Sequence, residues 1–331
     1  MEPLPLALTM GDPAGIGGEC LAAAFVRGPL PPCFAVDDPA RLAALGLPVH
    51  EIGAPEEARR APTGRLPVIA EPLGAPAELG RPDPANAAPA IRSIERAVAF
   101  AREGHAGGVV TLPINKKALK DGAGFPYPGH TEFLAALTGA TRAVMMIAAP
   151  GLRVVPVTIH EPLRAVPDLL STGAIVETGL ILAAALEAEF SVASPRIAVA
   201  GLNPHAGEGG AMGKEDAAVV APAVAALKAR GVAAFGPLPA DTMFHPEARA
   251  RYDAALCMYH DQALIPVKML DFARGVNVTL GLPIVRTSPD HGTAYEIAGT
   301  GRADPTSLIE SIRLAASMAA GRARTPVPAG R

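Results

Sequence analysis

The sequence has no tryptophan, and aromatic residues make up only 4% of its 331 residues. Because half of the residues are apolar, the core volume must come mainly from Ala, Val, Leu and Ile. Three cysteines without a C-x-x-C pair indicate neither a disulfide framework nor a zinc ribbon. They fit a reducing, cytoplasmic setting. We expect one large globular domain or two intertwined ones.

Long apolar runs and basic clusters are also missing. Charge or glycine interrupts the longest apolar stretches, as at Glu187 and Glu189, so no run of ~20 apolar residues predicts a membrane helix. The amino-terminal stretch carries an acidic Glu2 and reaches Gly and Pro too early for a signal peptide. The formal charge of −3 argues against nucleic acid as a partner. We therefore expect a cytoplasmic protein with neither a nucleic-acid nor a membrane partner.

Strand-like and helix-like patterns alternate along the chain, which predicts an α/β fold. The stretch AVMMIAAPGLRVVPVTIH is typical of two paired strands around a tight turn. A long helix is predicted from about Gly173 to Phe190, and a helix near Pro222 is expected to kink or to start late. Residues 54–90, rich in Pro and Ala, are predicted to be irregular.

Three histidines end apolar, strand-like runs: His160 ends VVPVTIH, His205 ends IAVAGLNPH and His260 ends AALCMYH. In open α/β sheets, ligands bind outside the carboxyl ends of the strands. Three imidazoles with one open position are the pattern of a catalytic divalent-metal site. The alternative is that each histidine caps its strand and makes a local hydrogen bond. The shared context of the three favours the metal site.

A second set of residues indicates anion binding. His130 and Thr131 begin an amphipathic helix, whose amino-terminal amides and dipole favour a phosphate or carboxylate. A plain N-cap role for Thr131 is the alternative. Three further polar residues each follow an apolar or glycine-apolar pair: Lys268, Asn277 and Arg286. Lys and Arg side chains that follow such pairs can bind a dianion between them.

The polar, glycine-rich stretch at residues 288–305 is suited to wrapping a nucleotide, with Glu296 placed to bond ribose hydroxyls. The chain has no G-x-G-x-x-G after its first strand and no G-x-x-x-x-G-K-[ST]. A dinucleotide, if bound, is therefore not held in the Rossmann manner.

Eight blocks in order resemble the 4-hydroxythreonine-4-phosphate dehydrogenase family of pyridoxal phosphate biosynthesis. They are TMGDPAGIGGE, TLPINKKAL, PGHTEFLA, GLNPHAGEGGAMGKED, GPLPADTMF, YHDQALIPVK, VNVTLGLP and RTSPDHGTAYEIAGTG. The resemblance implies two α/β domains sharing a mixed sheet, similar to isocitrate and isopropylmalate dehydrogenases, with the active site in the interdomain cleft. It implies one two-lobed catalytic unit over residues 1–331, with lobes of about 1–140 plus 285–331, and 141–284.

The resemblance also implies a metal and a homodimer. One divalent ion per site, Zn, Mg or Co, is expected on three histidines that fall here on His160, His205 and His260. Both subunits of the dimer would contribute these ligands, so that the active sites are shared. Asp261 is a candidate to orient an imidazole, with a plain turn or cap role as the alternative.

Further roles follow from the same resemblance. Substrate contacts fall on His130, Thr131, Lys268, Asn277 and Arg286. Contacts to NAD, with NADP left open, fall on His291 and Glu296. The general base is left open among Asp241, Asp261 and Lys268.

The implied reaction is the NAD-dependent oxidation of 4-phosphooxy-L-threonine at C3. The β-keto acid product loses CO₂ to give 3-amino-2-oxopropyl phosphate. The alternative on the same scaffold is a sister dehydrogenase acting on a threonate 4-phosphate or a cis-dihydrodiol carboxylate. A phosphate-transferring enzyme would need no convergent histidines, and a catalytically silent binding protein would be expected to have lost a polar site residue.

Two positions depart from the family pattern. Gly18 stands where the family more often has Pro, and this change is expected to be harmless because Gly keeps the loop flexible. Tyr295 and Glu296 stand where a Leu-Asp pair is common. The second departure keeps a carboxylate one methylene longer, so ribose recognition is expected to survive.

Overall fold

The computed structural model describes residues 3–324. The chain divides into two compact units. Unit 1 comprises the residues up to Ala143 together with those from Leu282 onward, and unit 2 comprises Val144–Gly281. Each unit combines strands with covering helices, which confirms the predicted α/β class.

The strands, in chain order, are β1 (Leu6–Thr9), β2 (Cys33–Asp37), β3 (Val49–Glu51), β4 (Leu66–Ala70), β5 (Val109–Val110), β6 (Val144–Ala149), β7 (Leu152–Pro156), β8 (Arg196–Ala200), β9 (Ala233–Leu238), β10 (Ala254–Cys257), β11 (Val276–Leu280) and β12 (Arg286–Pro289). The α-helices are α1 (Gly17–Arg27), α2 (Pro39–Ala44), α3 (Ala87–Arg102), α4 (Lys116–Ala123), α5 (His130–Thr138), α6 (Val166–Leu169), α7 (Thr172–Ala188), α8 (Ala221–Ala229), α9 (Pro246–Arg249), α10 (His260–Leu270) and α11 (Thr306–Arg324).

The strands of unit 1 run in the order β3-β4-β2-β1-β5-β12, and their pairings are parallel. Because helices cover parallel sheets, such strands are buried and mostly apolar, as β1 and β2 are here. The irregular structure predicted for residues 54–90 is wrong at Leu66–Ala70, which form β4. Pro67 hid this strand, since proline cannot donate to a sheet and is rare in a strand with two neighbours.

The strands of unit 2 run in the order β11-β6-β7-β10-β8-β9. The predicted hairpin is confirmed, because β6 and β7 pair antiparallel around a turn at Gly151. β11 also pairs antiparallel with β6, whereas β7, β10, β8 and β9 are parallel, so this sheet is mixed as predicted. The carboxyl ends of β7, β10 and β8 consequently lie at one edge, which is where side chains can meet.

Two helix predictions are confirmed in unit 2. The long helix is α7, and the Ser171 hydroxyl caps it by accepting from the Ala174 amide at 3.1 Å. Pro222 lies in the first turn of α8, after a π-helical turn at Asp216–Val220, so the α-helix starts late. Among the described residues, no single helix is long and apolar enough to cross a membrane; a bent pair, Leu163–Leu169 with Thr172–Ala188, meets that criterion only when joined across a 91° bend.

Gly18 lies in the first turn of α1 against α2. A Cβ at this position would come 2.6 Å from Leu45 Cδ1 and 2.8 Å from Arg41 NH2. Arg41 is held there by a buried ion pair with Asp37 at 2.7 Å. The Arg41 side chain therefore occupies the space that a larger residue at position 18 would need.

Candidate functional site

Two of the three histidines predicted to bind metal lie together in unit 2. His160 follows β7, and His260 follows β10 as the first residue of α10. The Thr158 hydroxyl donates to the Met258 carbonyl oxygen at 2.8 Å, which holds the two strand extensions at the same level. The ring centroids of His160 and His260 are consequently 5.6 Å apart.

The His260 ring has a defined orientation. Its Nδ1 lies 2.7 Å from Asp261 Oδ1, and Nδ1–H is the donor because a carboxylate oxygen only accepts. In a neutral ring this leaves the Nε2 lone pair available for an electrophile. A carboxylate behind a histidine is the usual support for a metal-binding imidazole.

His205 lies in the loop after β8, apart from this pair. Its φ of 54° starts a run of left-handed residues that includes Ala206 at 53° and Glu208 at 41°. Non-glycine residues are strained in this conformation, so surrounding contacts must hold the loop. The His205 side chain is exposed, and its Nδ1 lies 3.9 Å from Glu208 Oε2. Within residues 3–324, no three His, Cys, Asp or Glu side chains converge on an ion-sized gap.

The loop is anchored by Asp216, a buried carboxylate that sequence reasoning missed. Asp216 Oδ1 accepts from the Leu202 amide at 2.7 Å, and its Oδ2 accepts from the Asn203 amide at 3.0 Å. The Asn203 side-chain Nδ2 donates to the same Oδ2 at 3.0 Å. These bonds fix the start of the segment that carries His205.

The remaining candidates in unit 2 occupy three different elements. Lys268 lies in α10, with its Nζ 5.5 Å from the centroid of the Phe272 ring. Asn277 is half-buried in β11, opposite Ile147 of β6. Asp241 is exposed in a short 3-10 turn after β9.

The predicted anion-binding helix in unit 1 is α5, which begins at His130. Its N-cap residue is Gly129, and no side chain caps it. Thr131 lies inside the first turn, so the alternative that Thr131 is the N-cap is wrong. The first amides of α5 thus lack a side-chain acceptor and present the positive end of the helix dipole.

A buried guanidinium and a buried imidazole lie at this helix start. The buried Arg286 guanidinium donates to the Thr111 hydroxyl oxygen from Nε at 3.2 Å and from NH2 at 2.6 Å. Burial lowers the pKa of Arg286 to about 10, so the group stays charged at neutral pH. Nε2 of His130 is buried without a hydrogen-bond partner. Burial, and then the charges of Arg286 and Lys116, hold the pKa of His130 well below its usual value.

The stretch expected to contact a nucleotide follows β12. The Nδ1–H of His291 donates to the Gly292 carbonyl oxygen at 3.0 Å, so Nε2 of the neutral ring is an acceptor. This Nε2 atom is buried and has no partner. The Glu296 side chain is exposed. Both groups can therefore accept hydrogen bonds from a ligand's hydroxyl or amide groups.

A contact that the sequence did not reveal joins this stretch to the loop after β1. The Tyr295 hydroxyl donates to Asp12 Oδ2 at 2.5 Å. Beside it, the Ile16 amide donates to the Thr293 carbonyl oxygen at 3.0 Å. Asp12 and Tyr295 are 283 positions apart, so no local spacing indicates their pairing.

The fold belongs to the predicted class, the α/β proteins similar to isocitrate and isopropylmalate dehydrogenases. The chain belongs to the family described as Pyridoxal phosphate biosynthetic protein PdxA, whose family model matches residues 35–315. The resemblance inferred from the eight sequence blocks is thereby confirmed.

Individual relatives agree with the family. The chain is 54% identical to a 4-hydroxythreonine-4-phosphate dehydrogenase of Caulobacter vibrioides, over 97% of this chain and 99% of the relative. The crystal structure of a 4-hydroxythreonine-4-phosphate dehydrogenase from Klebsiella pneumoniae matches with a TM-score of 0.89 and 41% identity, covering 96% of this chain and 98% of that one. A terephthalate 1,2-cis-dihydrodiol dehydrogenase from Burkholderia xenovorans LB400 matches with a TM-score of 0.67 and 27% identity, covering 96% and 98%.

Proposed function

We propose that the chain is an NAD-dependent dehydrogenase that oxidises 4-phosphooxy-L-threonine at C3 in pyridoxal phosphate biosynthesis. Family membership and the names of its relatives support this activity. The single observation that carries the substrate class is the pair formed by Arg286 and the unpartnered His130 Nε2 at the uncapped start of α5.

These groups suit a phosphate dianion. A buried guanidinium is destabilised by desolvation, and a dianion restores the lost interaction through charge-assisted hydrogen bonds. His130 Nε2 and the first amides of α5 add further polar partners. We assign Thr131, Lys268 and Asn277 as additional substrate contacts, as the family resemblance implies. A cis-dihydrodiol carboxylate has no phosphate to use this set of donors, which favours a phosphorylated substrate.

The histidines of unit 2 fit a divalent ion. His160 and His260 supply imidazole donors, and Asp261 orients one of them. Such donors suit Zn²⁺ or Co²⁺ better than Mg²⁺, which prefers oxygen ligands. When bound, the ion supplies Lewis-acid polarisation of the substrate hydroxyl. We assign the third ligand to His205 of a second copy of the chain.

Exposed apolar side chains support the homodimer. Among the described residues, seven of the nine exposed large apolar side chains belong to unit 2. They are Leu163, Leu169, Met212, Ile265, Met269, Leu270 and Phe272. Several share α10 with His260, and Met212 shares a loop with His205. Four of them lie within residues 265–272, and exposed apolar groups close together in this way are typical of a surface that a protein partner covers.

His291 and Glu296 fit a nicotinamide dinucleotide. The buried acceptor Nε2 of His291 needs a donor, and the exposed carboxylate of Glu296 can accept from ribose hydroxyls. A 2′-phosphate would meet the negative charge of Glu296, so we propose NAD rather than NADP.

Side chains of this chain then carry out the remaining steps of the proposed reaction. Phosphate binding at Arg286 and His130 positions C3 for transfer of its hydride to the nicotinamide. The hydroxyl proton passes to a general base, for which Asp241, Asp261 and Lys268 stay the candidates. The new C3 carbonyl accepts the electron pair of the carboxylate's C–C bond as CO₂ leaves, and C2 of the resulting enolate takes up a proton. We propose that units 1 and 2 are the two lobes of this catalytic unit, and that it acts in the cytoplasm.

A substrate panel tests the proposal. Formation of NADH is followed with 4-phosphooxy-L-threonine, a threonate 4-phosphate and a cis-dihydrodiol carboxylate, each with and without a chelator. We expect turnover with 4-phosphooxy-L-threonine, its loss with chelator, and its return on adding Zn²⁺ or Co²⁺. A preference for either other substrate would replace the proposed activity with that of a sister dehydrogenase.

A further inference from the structure

We propose that Tyr295 is a positioning residue for the nicotinamide cofactor, acting through its hydrogen bond to Asp12. This inference rests on the proposed function, because it concerns the segment assigned to NAD. That segment carries His291 and Glu296 on either side of Tyr295. The bond ties it to the loop after β1.

The contact is short, partly buried and charge-assisted. Asp12 is 7% exposed, and its Oδ1 already accepts from the Ala14 amide at 2.9 Å. Its Oδ2 takes the Tyr295 hydroxyl at 2.5 Å. Burial, and then the bond and the charge of Asp12, raise the pKa of Tyr295, so the phenol remains a donor throughout the neutral range. A hydrogen bond to an ionised acceptor is about twice as strong as a neutral one.

The backbone next to Tyr295 needs such support. Ala294 has φ 45° and ψ 53°, a left-handed conformation that is unfavourable for alanine. Strained residues persist where surrounding contacts over-determine them. The Tyr295 hydroxyl bond is one such contact. The others nearby are the Ile16 amide donating to Thr293 O at 3.0 Å and the Gly299 amide donating to Glu19 Oε2 at 2.9 Å.

The link to cofactor binding follows from the order of residues along the segment. Glu296 immediately follows Tyr295, so the direction of its carboxylate depends on how the 3-10 turn Tyr295–Ile297 is held. A segment that is ordered before binding loses less conformational entropy when the ligand arrives. The Tyr295 bond should therefore strengthen cofactor binding without changing the phosphate pocket.

The Tyr295–Asp12 contact gives a physical reason for the departure from the family pattern at positions 295 and 296. A leucine at position 295, which the family resemblance implies, would have no donor for Asp12. This chain instead has the Tyr295–Asp12 hydrogen bond next to a glutamate, which is one methylene longer than the aspartate that the resemblance implies. We infer that the Tyr295–Asp12 hydrogen bond offsets the additional conformational freedom of the longer Glu296 side chain.

The test is the affinity of the protein for NADH, measured by NADH fluorescence without substrate or metal. Tyr295→Phe keeps the ring and removes only the hydroxyl. We expect its Kd for NADH to rise roughly tenfold. In turnover assays, KM for NAD should rise similarly, while kcat and the KM of the phosphorylated substrate stay within about twofold. Hydrogen exchange should quicken at residues 293–299 in the absence of any ligand.

A matched control comes from the same segment. The Thr300 hydroxyl donates to the Ile297 carbonyl oxygen at 2.7 Å and does not reach the loop after β1. Thr300→Val should leave the Kd for NADH within about twofold of the unmodified protein. Tyr295→Leu should resemble Tyr295→Phe, and adding Asp12→Ala to Tyr295→Phe should have less than its separate effect, since both changes remove the Tyr295–Asp12 hydrogen bond.

The outcomes separate the two proposals. If the unmodified protein reduces NAD and Tyr295→Phe keeps the native affinity for NADH, only the role of Tyr295 is overturned. Lower thermal stability with unchanged NADH affinity would also overturn it, because the contact would then be merely structural. Unmodified protein that neither binds NADH nor reduces NAD would remove the proposed function and the inference with it.

Discussion

The imidazole rings of His160 and His260 lie 5.6 Å apart at the carboxyl ends of two adjacent parallel strands. Replacing either ring by alanine should abolish binding of Zn²⁺ or Co²⁺, measured by calorimetry, and remove activity in parallel. The control is His245→Ala in the same unit, an exposed histidine whose Nδ1 lies 2.7 Å from Glu247. If His160→Ala retained stoichiometric metal, our ligand assignment would be wrong.

Mixing two inactive variants tests whether the metal site is shared. His160→Ala and His205→Ala should each be inactive alone. If His205 comes from the partner subunit, a mixed dimer has one site made entirely of native ligands. After subunit exchange, activity should therefore return to roughly a quarter of the native level, since half of the dimers are mixed and each has one working site of two. No recovery, despite exchange demonstrated by differently tagged copies, would place all three ligands within one subunit.

Arg286 should set the affinity for the phosphorylated substrate. Arg286→Gln removes the buried charge, and we expect KM for that substrate to rise by about 100-fold, as for loss of a charge-assisted contact. Affinity for NADH should not change. Arg313→Gln, which removes an exposed arginine paired with Glu310, is the control. Equal losses in both variants would contradict the assignment of Arg286.

His130 should make stability depend on pH. Its pKa is lowered in the folded protein from an ordinary value of 6.5, so the unfolded chain binds a proton first as pH falls. The stabilisation from keeping this ring neutral is thus complete above pH 6.5 and declines below it, by about 1.4 kcal/mol per pH unit until the folded pKa is reached. In denaturant titrations, His130→Asn should show a shallower loss of stability than the native protein between about pH 6.5 and 5.5. Parallel curves for the two proteins would refute this.

Replacing Gly18 by a larger residue should destabilise the fold. Gly18→Ala places a methyl group against Leu45 and the ion-paired Arg41, and we expect it to lower the free energy of unfolding by about 1–2 kcal/mol. Gly173→Ala is the control, because the nearest atom to its Cβ is Ser171 Oγ at 3.9 Å. In helix α7 that change should be neutral or stabilising by about 0.5–1 kcal/mol. A Gly18→Ala protein as stable as the native one would show that Arg41 and Leu45 can move aside.

The sequence predicted those features that depend on local patterns. Apolar runs ending in histidine identified His160 and His260, because parallel strands bring their carboxyl ends to one edge. The amphipathic start at His130 correctly located helix α5. The β6–β7 hairpin followed from an Ala-Pro-Gly turn between two apolar runs.

Features that depend on distant pairings were beyond the sequence. Arg286 meets Thr111 across 175 positions, and Tyr295 meets Asp12 across 283. No periodicity or spacing connects such residues. The Asp216 anchor was missed for a related reason, since an acidic residue after a glycine-rich loop is usually solvated. Strand β4 was missed because Pro67 argues against a central strand, although tertiary pairing overrode that preference.

The exposed apolar side chains of α10 should make the activity of this chain depend on its concentration. If the second copy covers Ile265, Met269 and Leu270, then dilution releases subunits in which these apolar side chains face water. Mass action would then make specific activity fall as the protein is diluted. The exposed apolar face would also favour non-specific association with other surfaces. Newly synthesised chains would therefore benefit from dimerising soon after synthesis.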